Sequence, residues 1–120
     1  MRRESIEVAQ WLYYLVGLEE KPVELPRKHA RAVRALWRKL ESCINDPILP
    51  PIAGPGGELG FQMAWNYDEF YLDIDVSEEG EFEWFFLDRK TGKYKGSDDN
   101  RLTDPPNDLI RLLAEHCSDE

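Results

Sequence analysis

The stretch "FYLDIDVSEEGEFEWFFLDR", residues 70–89, decides the fold. Two runs of alternating apolar and polar residues flank Glu78-Glu79-Gly80. Period-two alternation marks a half-buried strand. Gly80 suits the left-handed position of a three-residue hairpin loop. Folding Phe70–Val76 onto Glu81–Leu87 around that loop pairs Val76 with Phe82, Ile74 with Trp84 and Leu72 with Phe86. These six share one face, so turn chemistry and alternation agree on a register. The other face receives Asp73, Asp75, Glu81 and Glu83 beside Tyr71, Phe85 and Leu87. Asp75 falls directly across from Glu83, a mildly unfavourable pairing of like charges.

Working outward, Leu59–Trp65 alternates in the same way. Setting Trp65 against Phe70 brings Met63 to Leu72, Phe61 to Ile74 and Leu59 to Val76, with Gln62 beside Asp73. On the other side, "DRKTGKY" turns at Gly92 into a short edge strand, Lys93–Lys95. Tyr94 is expected on the inner face, and Lys93 and Lys95 on the outer one. A lysine-rich, short strand is a sensible sheet edge.

Helical periodicity flanks the sheet. Ile6, Ala9, Leu12, Tyr13, Leu15 and Val16 predict a helix over Ser5–Glu19, with Ser5 as its N-cap. Ala30, Val33, Trp37, Leu40 and Ile44 predict a second over Arg27–Ile44, with Leu36 and Cys43 beside the stripe. Pro26 fits its first turn, and Pro47 stops it. Arg27, Arg31, Arg34 and Arg38 form a basic ridge on its opposite face. Asp104 reads as an N-cap and Pro105 as the first residue of a last helix ending near His116, with Leu109, Ile110, Leu112 and Leu113 apolar. "DPILPPIAGPGGE", residues 46–58, is too rich in Pro and Gly for regular structure. Its Ile48, Leu49 and Ile52 are expected against the core.

The expected fold is therefore α+β and two-layered: a four-stranded antiparallel β-meander, two N-terminal helices and one C-terminal helix. A single domain, residues 1–120, divides into a helical half (1–46), a Pro/Gly-rich connector (47–58), the sheet (59–96), a polar linker (97–104) and a last helix (105–117). A chain of 120 residues buries roughly two-thirds of its unfolded surface and needs neither metal nor disulfide to fold.

Charge narrows the function. Residues 1–46 carry nine basic and seven acidic side chains, whereas residues 47–120 carry six and seventeen, so the net charge of −9 resides in the second part. Such a surface repels phosphates, so direct nucleic-acid binding is disfavoured and basic partners are favoured. No apolar run approaches the roughly 20 residues of a membrane span, and the opening residues, bearing Glu7 and Gln10, read as an amphipathic helix rather than a signal peptide. A cytoplasmic protein with reduced Cys43 and Cys117 is expected.

Most enzyme chemistry lacks its residues. "AGPGGELG" has glycines but no lysine and no strand–loop–helix setting for a phosphate. His29, His116 and the two cysteines lack zinc spacing, although His116 adjoins Cys117. Asp88 in "FFLDR" reads as a turn residue. Asp75 and Glu83 lie on an open sheet, where solvent keeps carboxylates ionised, unlike the apolar cleft that glycoside chemistry requires. No catalytic residue, cofactor or metal ligand is assigned. The acidic face admits three readings: a solvated surface, a docking surface, or a divalent-cation site at Asp73, Asp75 and Glu83. A flat strand pair makes a poor cage for a cation that takes six to eight oxygens.

"MAWNYDEFYLDIDVSEEGEFEWFFLDRKTGKYKG", residues 63–96, resembles a hairpin style of small bacterial proteins that have no established activity. It shows a tryptophan strand, an acidic L-x-I strand, an "EWF" strand and a D-R-x-T-G turn. The resemblance implies the meander and transfers no functional residue. The function expected is a small acidic protein-binding module of the inhibitor, antitoxin or immunity-protein kind, not an enzyme. Asp73, Asp75, Glu81, Glu83, Tyr71, Phe85 and Leu87 would face a basic protein partner. The alternatives are a self-assembling accessory protein, whose basic ridge meets the acidic half of another copy, and an enzyme with an unfamiliar site.

Overall fold

The computed structural model describes Trp11, residues 24–98 and residues 100–118. Helix α1 (Glu24–Cys43) is followed by β1 (Ile52–Gly56), β2 (Gly60–Asn66), β3 (Phe70–Val76), β4 (Phe82–Asp88), β5 (Tyr94–Gly96) and α2 (Asn107–His116). The strands form one antiparallel sheet in sequence order, β1-β2-β3-β4-β5. The fold is α+β, as the alternation and periodicity imply, with five strands and two helices among the described residues. The helix expected over Ser5–Glu19 lies outside them except for Trp11, which is buried.

In α1, Ala30, Val33, Leu36, Trp37 and Leu40 recur every three or four residues and are buried. Trp37 stacks on Trp65 of β2, with centroids 6.5 Å apart and planes within 10°, and Trp11 meets Trp37 edge-on at 5.7 Å. Each such ring removes about 150–250 Å² from water, so each contributes up to about 4–6 kcal/mol. From α2, Leu109, Leu112 and Leu113 join the same core, and His116 lies 5.1 Å from Phe70 and 5.0 Å from Phe86. The helices therefore cover one sheet face, built by Phe61, Met63, Trp65, Phe70, Leu72, Ile74, Val76, Phe82, Trp84 and Phe86. No described helix packs on the outer face of the sheet, which only the β1–β2 turn partly overhangs.

The fifth strand lies in the connector. Ile52–Gly56 pairs with β2, and Pro55 sits opposite Phe61. A sheet edge tolerates a proline, because its missing N–H is not needed on the solvent side. Ile48 and Leu49 do pack on the core, but Ile52 is 79% exposed, because it belongs to the outer face of this edge strand.

The β3–β4 register is the expected one, and Gly80 has φ +89°. The β2–β3 register differs by two residues: Phe61 faces Val76, Met63 faces Ile74 and Trp65 faces Leu72. The hairpin is closed further out, where the Tyr67 N–H donates to Phe70 O at 2.9 Å around Asp68-Glu69. A slip of two residues keeps every side chain on its face, so alternation alone does not detect it.

Strand β5 departs in parity. Leu87 pairs with Tyr94, Phe86 with Lys95 and Phe85 with Gly96. Tyr94 therefore shares the outer face with Leu87 and Phe85, and Lys95 turns the other way, to an ion pair with Asp108 of α2 at 3.0 Å. The turn responsible is held by Asp88, whose carboxylate accepts the N–H groups of Lys90 and Thr91, while Gly92 takes φ +75°. Helix α2 starts later than expected, with Pro106 as an N-cap lacking a side-chain hydrogen bond, because Pro106 keeps the preceding Pro105 out of the helical region; Asp104 is engaged by Lys39 at 3.1 Å instead. Cys43 is exposed rather than on the apolar stripe, and Cys117 is buried.

Candidate docking site on the outer sheet face

The strand pairings place the outer side chains in three rows. Ala64, Asp73, Phe85 and Gly96 form the middle row. Gln62, Asp75 and Glu83 form the acidic row, and Asn66, Tyr71, Leu87 and Tyr94 the aromatic row. Neighbours within a row are about 4.8 Å apart, and rows about 6.7 Å apart. The face thus grades from carboxylate to aromatic across roughly 13 Å.

A groove of about 390 Å³ opens on this face. Asp73, Asp75, Glu83, Phe85 and Tyr94 line it, together with Glu58 from the β1–β2 turn and Asp98 beyond β5. None of the five carboxylates forms an ion pair with a described residue. Phe85 is 38% exposed and Tyr94 74%, with ring centroids 6.1 Å apart and planes 31° apart.

Asp75 shapes one wall. Its Oδ2 accepts the Leu59 N–H at 3.3 Å, which holds the β1–β2 turn over the sheet. Gly57 sits so close that an added Cβ would lie 2.4 Å from Asp75 Oδ1, and its φ of +73° independently favours glycine. The other oxygen, Oδ1, is buried without a hydrogen-bond partner. Burial pushes the Asp75 carboxyl above the ordinary aspartate range; the Leu59 and Glu58 amides oppose this, and the Glu58 charge adds to it. Asp73 is also raised, by burial first, with a Tyr71 hydrogen bond opposing and the Asp75 charge adding. Tyr71 is pushed up to about 12 by burial, then by its hydrogen bond to Asp73 and the Asp73 charge, with Arg89 pulling it down. Asp73 and Asp75 are thus half-buried rather than fully solvated. The turn at Gly57 and the neighbouring rings displace water that an open sheet would admit.

The structure brings together Asp73, Asp75, Glu83 and Phe85 from the expected set. Glu81 is at the far end of the sheet, 3.9 Å from Arg101, outside the groove lining. Tyr71 and Leu87 remain on the outer face, beyond the groove, where the Arg89 guanidinium lies 5.8 Å from the Tyr71 ring centroid. Arg89 also donates to Asn66 Oδ1 at 2.7 Å and to Tyr67 O, which clamps the β2–β3 turn. Lys93 and Lys95 do not line the groove. Sequence reasoning missed Glu58, Asp98 and Tyr94. Glu58 and Asp98 come from turns, and Tyr94 depended on a turn length that composition does not reveal.

Of the basic ridge, Arg31 and Arg38 are exposed on α1, and Arg27 and Arg34 are half-buried. Among the described residues no group of three or more His, Cys, Asp or Glu is arranged to hold a metal ion. No described helix is long and apolar enough to cross a membrane. No family model, curated protein or solved structure matches this chain.

Proposed function

We propose that this chain is a small acidic protein-binding module that docks a basic protein surface on its outer sheet face, and that it binds rather than catalyses. One observation carries the reading: five carboxylates without a described cationic partner surround an exposed aromatic pair in a single groove. Apolar anchors inside a charged rim are the usual composition of a protein interface. The same field steers a basic partner inward and repels nucleic acid that competes for that partner's basic surface. An inhibitor, antitoxin or immunity protein acts in this way. The groove lining contains no Ser, Cys, His or Lys, so it offers carboxylates without a nucleophile–base pair.

The test is affinity capture from the source cells with the wild-type chain and an Asp73→Lys/Glu83→Lys variant whose fold is checked by circular dichroism. A basic partner retained at low salt, and lost with both moderate salt and the variant, supports the reading. A partner indifferent to the variant, or none at all, counts against it.

A second reading is self-assembly, favoured by Arg31 and Arg38 exposed on a helix of a chain whose sheet face is acidic. Contact between two different patches is heterologous and builds rings or filaments rather than a closed dimer. Sedimentation that stays monomeric at high concentration and low salt would remove it.

A further inference from the structure

We infer that the outer-face groove seats one arginine side chain from a basic segment of the protein partner. This rests on the proposed docking role and specifies the chemistry of its occupant. The charge of the groove calls for a cation, and its shape distinguishes among cations. Phe85 has Asp73 directly across on β3 and Gly96 directly across on β5. Gly96 therefore leaves the ring open on that side. The gap is built into the fold, because a Cβ at Gly96 would lie 2.7 Å from Trp84 O. Tyr94, two residues before Gly96, tilts toward Phe85 and supplies a second exposed ring.

A flat cation entering this gap lies on an aromatic face with Glu83 one diagonal away and Asp98 two residues beyond Gly96, while Asp73 flanks the far side of the Phe85 ring. A guanidinium is planar, weakly hydrated and carries five N–H donors in a fork, so it stacks and bonds carboxylates at the same time. An ammonium is a strongly hydrated point charge and uses only the electrostatic half of the site. The remaining carboxylates set the field. Asp75 has Oδ2 committed to the Leu59 N–H and Oδ1 buried under the β1–β2 turn, so a cation in the groove compensates its charge through space. A bare divalent ion is disfavoured by the absence, among the described residues, of a three-ligand group.

The experiment is a two-dimensional ¹H–¹⁵N NMR titration of the full chain with N-acetyl-arginine amide and N-acetyl-lysine amide at equal, low ionic strength. Arginine amide is expected to shift the amides of Asp73, Glu83, Phe85 and Gly96, with lysine amide binding roughly threefold to fivefold more weakly, the scale of an exposed cation–π contact. Tyr94→Ala, at an exposed edge position, is expected to weaken arginine about fivefold and lysine less than twofold. Glu83→Gln is expected to weaken both. Equal binding of the two ligands, or arginine binding unchanged in Tyr94→Ala, overturns the arginine seat. If both ligands bind alike and both weaken in Glu83→Gln, the acidic docking face survives that failure. If neither ligand shifts any groove resonance, the seat and the docking face fall together.

Discussion

Replacing Gly57 with alanine tests whether the β1–β2 turn is built around the Asp75 carboxylate. Two costs are separable. The left-handed φ of +73° penalises any L side chain by roughly 1–2 kcal/mol. The new methyl would also lie 2.4 Å from Asp75 Oδ1, so the carboxylate must move. Moving it breaks the bond from the Leu59 N–H, and a hydrogen bond to a charged group contributes roughly 1.5–3 kcal/mol. The expected loss for Gly57→Ala is then about 2.5–5 kcal/mol. In an Asp75→Ala background the crowding atom is gone, and only the conformational cost of about 1–2 kcal/mol remains. The double-mutant cycle should therefore show a coupling of about 1.5–3 kcal/mol. Urea unfolding followed by tryptophan fluorescence measures it, since Trp37, Trp65 and Trp84 are buried. With slopes of roughly 1–3 kcal/mol/M, the Gly57→Ala midpoint should fall by about 1 M or more. Equal costs for Gly57→Ala in the two backgrounds would refute the claim that Asp75 crowds this turn.

Two further outcomes are expected. Asp73 has its folded-state pKa raised above the ordinary value near 3.8, so its charged form costs stability at neutral pH. That cost is relieved as pH falls through the raised value and is gone below the unfolded one. Asp73→Asn should therefore raise the urea midpoint at pH 7 by an amount worth a few tenths of a kcal/mol, and flatten the pH dependence between neutrality and about pH 4. Cys43 is exposed, whereas Cys117 is buried with its thiol pushed up to about 12 by burial. A thiol reagent should thus modify one cysteine in the native protein and the second only after denaturant; rapid native labelling of both would contradict the burial.

The sequence by itself determined the α+β class and which face each central strand buries. Period-two alternation in Phe70–Val76 and Phe82–Asp88 is local, and Gly80 sets the loop between them, so that register follows from chain-neighbour chemistry. The stripe in α1 is equally local, because helix geometry repeats every 3.6 residues. It also located the acidic face, since Asp73, Asp75 and Glu83 are assigned by parity alone. What it did not determine is governed by how the connections close and by what they pack against. The β2–β3 slip leaves all faces intact; the Tyr67–Phe70 closure fixes it, and Arg89, more than twenty positions away, clamps the same turn through Asn66 and Tyr67. The β1 strand forms in spite of its prolines and glycine-rich sequence, because β2 offers an edge that needs few of its N–H groups. Tyr94 moved to the outer face because Asp88 holds a turn whose length reverses the parity of everything after it. The groove is therefore a tertiary product: its floor was legible as a row of carboxylates, but its walls come from two turns and an edge strand. Where such connections lie depends on which partner satisfies each backbone group, a near one at Asp88 and a distant one where Leu59 meets Asp75, and residue types alone do not select between them.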